Sequence, residues 1–267
     1  MRIFWILVAS TLLTSPIQVN AENKFLTLGI FPYVSTSKLI AHNKNIRKHI
    51  NETTQYKLSL VTAKNLQTYV ENLKSRQYDF IFSAPHLARF VEKKYKYQRV
   101  AMTSHKILAV YLVKKDSPLR TLDELRGKKL SMAPTKTLLH QIVLNQLNMH
   151  NIIPGKDIQI KVVNTHNNST YDVLNNDSDV AVTGAKIWKK LPAEKKKKFR
   201  MLTQANPTSG FIILAKPDTD KTVVKDIQKS LLAFNDTKAG KGYIFKGFKL
   251  ISDQEMQSLD FHAKVFE

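Results

Sequence analysis

The sequence predicts an α/β protein of two lobes, each a mostly parallel sheet flanked by helices. Two observations carry this. Short apolar runs alternate with amphipathic helical stretches, and that alternation occurs in two separate blocks. Between the blocks lie two extended apolar segments, 108–117 and 206–216, suited to cross from one lobe to the other and back.

The first block opens at FLTLGI (25–30), which alternates and reads as a strand. A helix follows over 37–50 with Leu39, Ile46 and Ile50 inward. KLSLV (57–61) is a strand, and 65–76 is a helix with Leu66, Val70 and Leu73 on one stripe. DFIFS (79–83) reads as a buried strand, and Pro85 opens the next helix. In the second block KLSMA (129–133) is a strand and 137–149 a helix presenting Leu138, Ile142 and Leu147. IQIKVV (158–163) and DVAVT (179–183) are strands, followed by helices over 168–176 and near 185–190. A helix over 220–235 belongs to a tail that rejoins the first lobe. The expected division is residues 22–112 with 211–267 in lobe 1, and 113–210 in lobe 2.

The first 21 residues stand apart. One early Arg, an apolar run from Ile3 to Leu13 and a Val19-Asn20-Ala21 ending predict a secretory leader cleaved after Ala21. The run is short for a membrane span. The chain has no cysteine, so its core must stand without disulfides. The formal net charge is +21, and +20 once Arg2 leaves with the leader. Such a balance favours anionic partners. Export argues against nucleic acid as the partner, and EKKKKFR (194–200) reads as a solvated helix end or loop.

In open α/β sheets, ligands sit beyond the carboxyl ends of the strands. The five candidate ends are GIFPYVS (29–35), FSAPH (82–86), MAPTKT (132–137), VVNTHNNS (162–169) and AVTGA (181–185). They are rich in Ser, Thr, Tyr, His and Asn, and contain no Asp or Glu. Neutral donors in a basic chain suit an anion held by hydrogen bonds. The Pro134-Thr135-Lys136-Thr137 turn is the sharpest case. Thr is a good helix cap, yet unpaired N–H groups at a helix start also receive anions, and the residues alone leave both open. His86 is open between a ligand contact and a solvent-facing ring. No Gly-x-Ser-x-Gly, His-Glu-x-x-His or Gly-rich phosphate loop is present, and the histidines are scattered. No enzyme activity, cofactor or metal is expected.

The run KKDSPLRTLDELRGKKLSMAP (114–134) resembles the phosphate/phosphonate-binding periplasmic proteins of ABC importers, with their type II solute-binding fold. GIFPYVS, YDFIFSAP and VVNTHNNSTYDVLNNDSDVAV are similar to further segments of that family, in the same order. The resemblance implies a small oxyanion or organophosphonate held between the lobes and delivered to a permease in the inner membrane, by a monomer located in the periplasm. It implies ligand contacts from Tyr33, Ser83 and Ala84 in lobe 1 and from Thr135, Lys136, Thr137, Thr165 and His166 in lobe 2. Lys136 stands where the family has a hydroxyl, and no acid stands where binders of amine-bearing phosphonates have one. Both departures point to a plain phosphorus oxyanion: phosphate, phosphite or a simple phosphonate. A sensing subunit for a membrane signalling partner, a binder of another small anion such as a sulfonate, and a scavenger of anionic polymers remain alternatives.

Overall fold

A computed structural model describes residues 24–165 and 167–267. The expected leader (1–21) and His166 lie outside the described residues. In chain order the first lobe gives β1 (Lys24–Ile30), α1 (Thr36–Thr53), β2 (Tyr56–Thr62), α2 (Leu66–Lys74), β3 (Phe80–Ser83), α3 (Pro85–Tyr95) and β4 (Gln98–Thr103). The second lobe gives β5 (Ala109–Lys114), β6 (Lys129–Met132), α4 (Leu138–Met149), β7 (Gln159–Val162), α5 (Asn168–Leu174) and β8 (Val180–Gly184). It closes with α6 (Ala185–Lys190), α7 (Ala193–Lys196) and β9 (Phe199–Gln204). The return adds β10 (Ile212–Ala215), α8 (Lys221–Ala233), α9 (Lys238–Lys241), β11 (Phe248–Lys249), α10 (Asp253–Gln257) and α11 (Asp260–Ala263).

Two mixed sheets result, ordered β11-β4-β10-β3-β1-β2 and β7-β6-β8-β5-β9. In the first, β1, β2 and β3 run parallel, while β10 runs antiparallel between β3 and β4. In the second, β6, β7 and β8 run parallel, while β5 runs antiparallel between β8 and β9. A reversed strand, β10 in the first sheet and β5 in the second, is in each case the one by which the chain enters from the other lobe; β11, at the edge of the first sheet, is reversed as well. The crossovers lie where the parallel strands end, so an entering strand must run back along its sheet.

That rule moves the expected boundary. Residues 109–112, assigned from the sequence to lobe 1, belong to β5 and pair with β8 and β9. The segment is extended and apolar because it is a central strand, not because it crosses between lobes. Ala109, Tyr111 and Val113 feed one core cluster, and Val110 and Leu112 feed another on the opposite face. The crossovers are shorter, 104–108 and 205–211. They are tied by Ile107 N–H donating to Thr208 O at 2.9 Å and Thr208 N–H donating to Ile107 O at 2.8 Å.

Helical periodicity sets the cores. Leu39, Asn43, Ile46 and Ile50 are the buried face of α1, and Leu138, Ile142 and Leu147 are buried on α4 as the sequence predicts. Asp79 pins three strands of the first sheet. It accepts from Thr27 N–H at 2.8 Å and Thr27 Oγ1 at 2.9 Å, and pairs with Lys216 Nζ at 3.0 Å. Burial pushes the Asp79 carboxyl up, but the Thr27 donors and Lys216 outweigh it and hold it below its ordinary range. Removing it strands an amide and a cation. Asp79→Ala is expected to cost about 2 kcal/mol in urea unfolding. A change below about 0.5 kcal/mol would mean the carboxylate merely decorates the sheet edge.

Candidate functional site

Residues beyond the strand ends of the two lobes come into direct contact, His86 with Lys136 and Lys186 with Ile244. On the lobe 1 side, Phe31 N–H donates to Phe82 O at 3.0 Å, which aligns the ends of β1 and β3. Ser83 is fully buried, and Ala84 is nearly so. Ala84 is the residue before α3, and its carbonyl accepts Ala88 N–H at 2.9 Å. Its neighbour His86 is buried, not solvent-facing. Burial pushes the His86 imidazole down to about 4, more than the Lys136 carbonyl raises it, with His262 adding to the fall. Neutral His86 donates from Nε2 to Lys136 O of the other lobe at 3.1 Å. The start of α3 therefore meets the turn before α4.

That turn is closed by Thr137 N–H donating to Pro134 O at 2.9 Å. Thr137 Oγ1 donates to Pro134 O at 2.8 Å and receives His140 N–H at 3.4 Å, which makes it the cap of α4. Gln141 Nε2 donates to Thr135 O at 2.8 Å. The side chains of Thr135 and Lys136 are exposed, since the bonds just described use only their carbonyls. Val163 N–H donates to Met132 O at 2.9 Å, so the loop carrying Thr165 emerges beside this turn. Thr165 Oγ1 is engaged locally, donating to Asn168 Oδ1 at 2.8 Å.

Tyr33 does not join the Ser83–Lys136 group through any direct bond. It is half-buried in an aromatic wall with Phe31, Phe211 and Phe245, at ring distances of 5.0, 5.3 and 5.9 Å. Its hydroxyl lies 3.0 Å from His42 Nδ1. Burial pushes the Tyr33 phenol well up. The sequence reading missed this wall because Phe211 sits on a crossover and Phe245 is more than 200 positions from Tyr33.

It also missed Lys186. The strand end was read as AVTGA and stopped one residue short. Lys186 Nζ donates to Ile244 O at 3.2 Å and lies 5.0 Å from the Phe245 ring centroid, so it spans from lobe 2 to lobe 1. Burial, then Lys190 and Lys246, lower its proton affinity. Among the described residues no group of His, Cys, Asp and Glu is placed to hold a metal ion.

A family model for the periplasmic substrate-binding protein of phosphonate ABC transporters matches residues 28–256. The chain belongs to that family. It is a transporter binding family of the periplasm, whose members take a small ligand and serve a permease. No curated protein matches the sequence. Solved structures confirm the two-lobe fold. XAC2383 from Xanthomonas citri, bound to ATP, superposes with a TM-score of 0.73 at 19% identity, covering 91% of this chain and 98% of that one. PhnD1 from Prochlorococcus marinus, in complex with methylphosphonate, gives 0.71 at 12% identity over 91% and 98%. The aliphatic sulphonate-binding protein SsuA from Escherichia coli gives 0.65 at 19% identity over 91% and 79%. No helix among the described residues is long and apolar enough to cross a membrane.

Proposed function

We propose that this family member is exported, loses its leader, and as a monomer captures a small phosphorus oxyanion in the cleft for an inner-membrane ABC importer. The observation that carries the reading is the meeting of α3 and the α4 turn through His86 and Lys136 O. It brings the starts of two full-length helices to one place, and helix starts favour anions. Thr135, Lys136 and Thr137 receive the anion there, with Thr165 and His166 from the next loop. Tyr33, Ser83 and Ala84 close the cleft from lobe 1. The Thr137 hydroxyl reaches a ligand by exchanging its 2.8 Å bond to Pro134 O for one to the anion, while the cap bond that it accepts is already long at 3.4 Å. The ligand class is supported by the family and by the absence of carboxylates from the strand ends. No catalysis and no nucleic-acid partner belong to this reading.

A sulfonate is the second reading, favoured by the fold likeness to the sulphonate-binding protein. Both are tested by thermal shift of residues 22–267 against phosphate, phosphite, methylphosphonate, 2-aminoethylphosphonate, sulfate and taurine. A ligand that binds only the folded state raises the melting point. A rise with a phosphorus oxyanion and none with the amine-bearing compound supports the reading. No rise with any phosphorus compound returns Thr135–Thr137 to a simple cap. Micromolar binding corresponds to roughly −8 kcal/mol. Lys136→Ala is expected to weaken it about tenfold, roughly 1.4 kcal/mol, and to leave the ligand-free melting point unchanged, because His86 uses only the Lys136 carbonyl.

A further inference from the structure

Four lysines from both lobes lie about the aromatic wall that holds Tyr33, Phe211 and Phe245. Lys186 and Lys190 lie one turn apart on α6. Lys38 lies on α1, and Lys246 follows the Phe245 ring on which Lys186 rests. Their fields meet inside the aromatic wall. His42 is depressed by burial and then by Lys190, Lys38 and Lys186, and His105 by burial and then by Lys186 and Lys246. Among the described residues, none of the four forms an ion pair with a carboxylate. Other lysines do: Lys216 pairs with Asp79, Lys161 with Asp172, and Lys249 with Glu255.

Like charges of two lobes brought together repel, and although solvent screens these exposed side chains, low salt leaves part of the repulsion in place. Lys186 nevertheless reaches across to a lobe 1 carbonyl, which supplies only a partial negative charge. A ligand with one charge, already held at the α4 turn, offers little to these lysines. We propose that Lys186, with Lys38, Lys190 and Lys246, forms a cationic clamp that closes the lobes on phosphoryl ligands carrying two or more negative charges. This rests on the cleft reading above and adds to it a charge requirement and the residues that impose it. Simple phosphonate dianions meet the requirement, as do pyrophosphate and nucleotides. Monoanionic sulfonates of the same shape do not.

The test is calorimetry at low salt and mildly alkaline pH, with methylphosphonate, pyrophosphate, ATP and methanesulfonate. Wild type is expected to bind the phosphoryl compounds at least about tenfold more tightly than methanesulfonate. Lys186→Met keeps the stem over Phe245 and removes the charge. It is expected to lose about tenfold on phosphoryl ligands and less than about threefold on methanesulfonate. Lys198→Met, an exposed lysine of the same lobe, is the control and is expected to change neither. Should Lys186→Met lower the ligand-free melting point, Lys190→Met and Lys38→Met each remove another charge of the clamp from an exposed side chain that makes no cross-lobe hydrogen bond among those described, and are expected to weaken phosphoryl binding in the same sense. Equal wild-type affinity for phosphonate and sulfonate, or unchanged phosphoryl binding in the Lys186 variant, overturns the clamp and leaves the cleft reading standing. Lys186-dependent binding of pyrophosphate or ATP without methylphosphonate keeps the clamp and overturns the simple-oxyanion ligand. No binding of any compound overturns both.

Discussion

Gly210→Ala is expected to lower stability by about 3 kcal/mol, which for a fold of this size is roughly 10 °C in melting temperature. Gly210 lies on the return crossover, against the outgoing one. A Cβ there would sit 2.5 Å from Thr103 O and 2.6 Å from His105 O, and nearer still to the Thr103 hydroxyl. Two of these are backbone carbonyls, which cannot swing aside as a side chain would. The neighbourhood is tightly bonded: Thr103 N–H donates to Phe211 O at 2.8 Å, and Thr103 Oγ1 donates to the same oxygen at 3.1 Å. Relief must come from spreading the crossovers, and the crossovers set the angle between the lobes. Ligand affinity is therefore expected to fall together with the melting point. Gly242→Ala is the control, since its Cβ would meet nothing closer than 3.6 Å. A Gly210→Ala protein that melts with wild type would mean the crossovers are looser than described.

The crossovers also show where sequence reading stops. Helices and parallel strands were legible because burial imposes a period on them. Leu39, Ile46 and Ile50 recur at helical spacing and are buried together. The first residues of β5 fall in the other lobe from the one the sequence suggests, because a strand buried on both faces is uniformly apolar and carries no period. LAVYLVKK looks alike whether it spans lobes or lies mid-sheet, and only pairing with β8 and β9 decides. The α4 turn was legible for the opposite reason, since Pro-Thr-Lys-Thr is a local signal. Lys186 and the wall of Tyr33, Phe211 and Phe245 were not, because their meaning comes from distant segments brought together. His86 shows the limit at a single residue. Its place after Pro85 was plain, but nothing local reveals that its ring is buried and faces a carbonyl 50 positions away.

That ring and His105 make the fold sensitive to acid well above the carboxylate range. Burial pushes His86 down to about 4 and His105, with help from Lys186 and Lys246, to about 3. In the unfolded chain both take a proton near the ordinary value of 6.5. Between these limits the two rings alone take up about two more protons in the unfolded state than in the folded one, and His42, His140 and His262, whose proton affinities burial also lowers, add to the difference. Stability is then full above about pH 7 and falls as pH drops, by roughly 2–3 kcal/mol per pH unit between about pH 6 and 4.5. Below that, the lowered carboxyls of Asp79, Asp260 and Glu255 add to the loss as they are forced to protonate. Urea unfolding across this range is expected to show the slope, and His86→Gln and His105→Gln each to remove the one-proton share of its own ring, about 1.4 kcal/mol per pH unit. A double variant with the wild-type slope would mean neither ring is held neutral. The two histidines also report on the cleft. An anion beside Lys186 and Lys246 lessens the charge that bears on His105 and lets it hold its proton more readily when folded. Saturating phosphoryl ligand is therefore expected to flatten the His105 share of the acid slope and leave the His86 share intact, which separates an anion at the four lysines from one confined to the α4 turn.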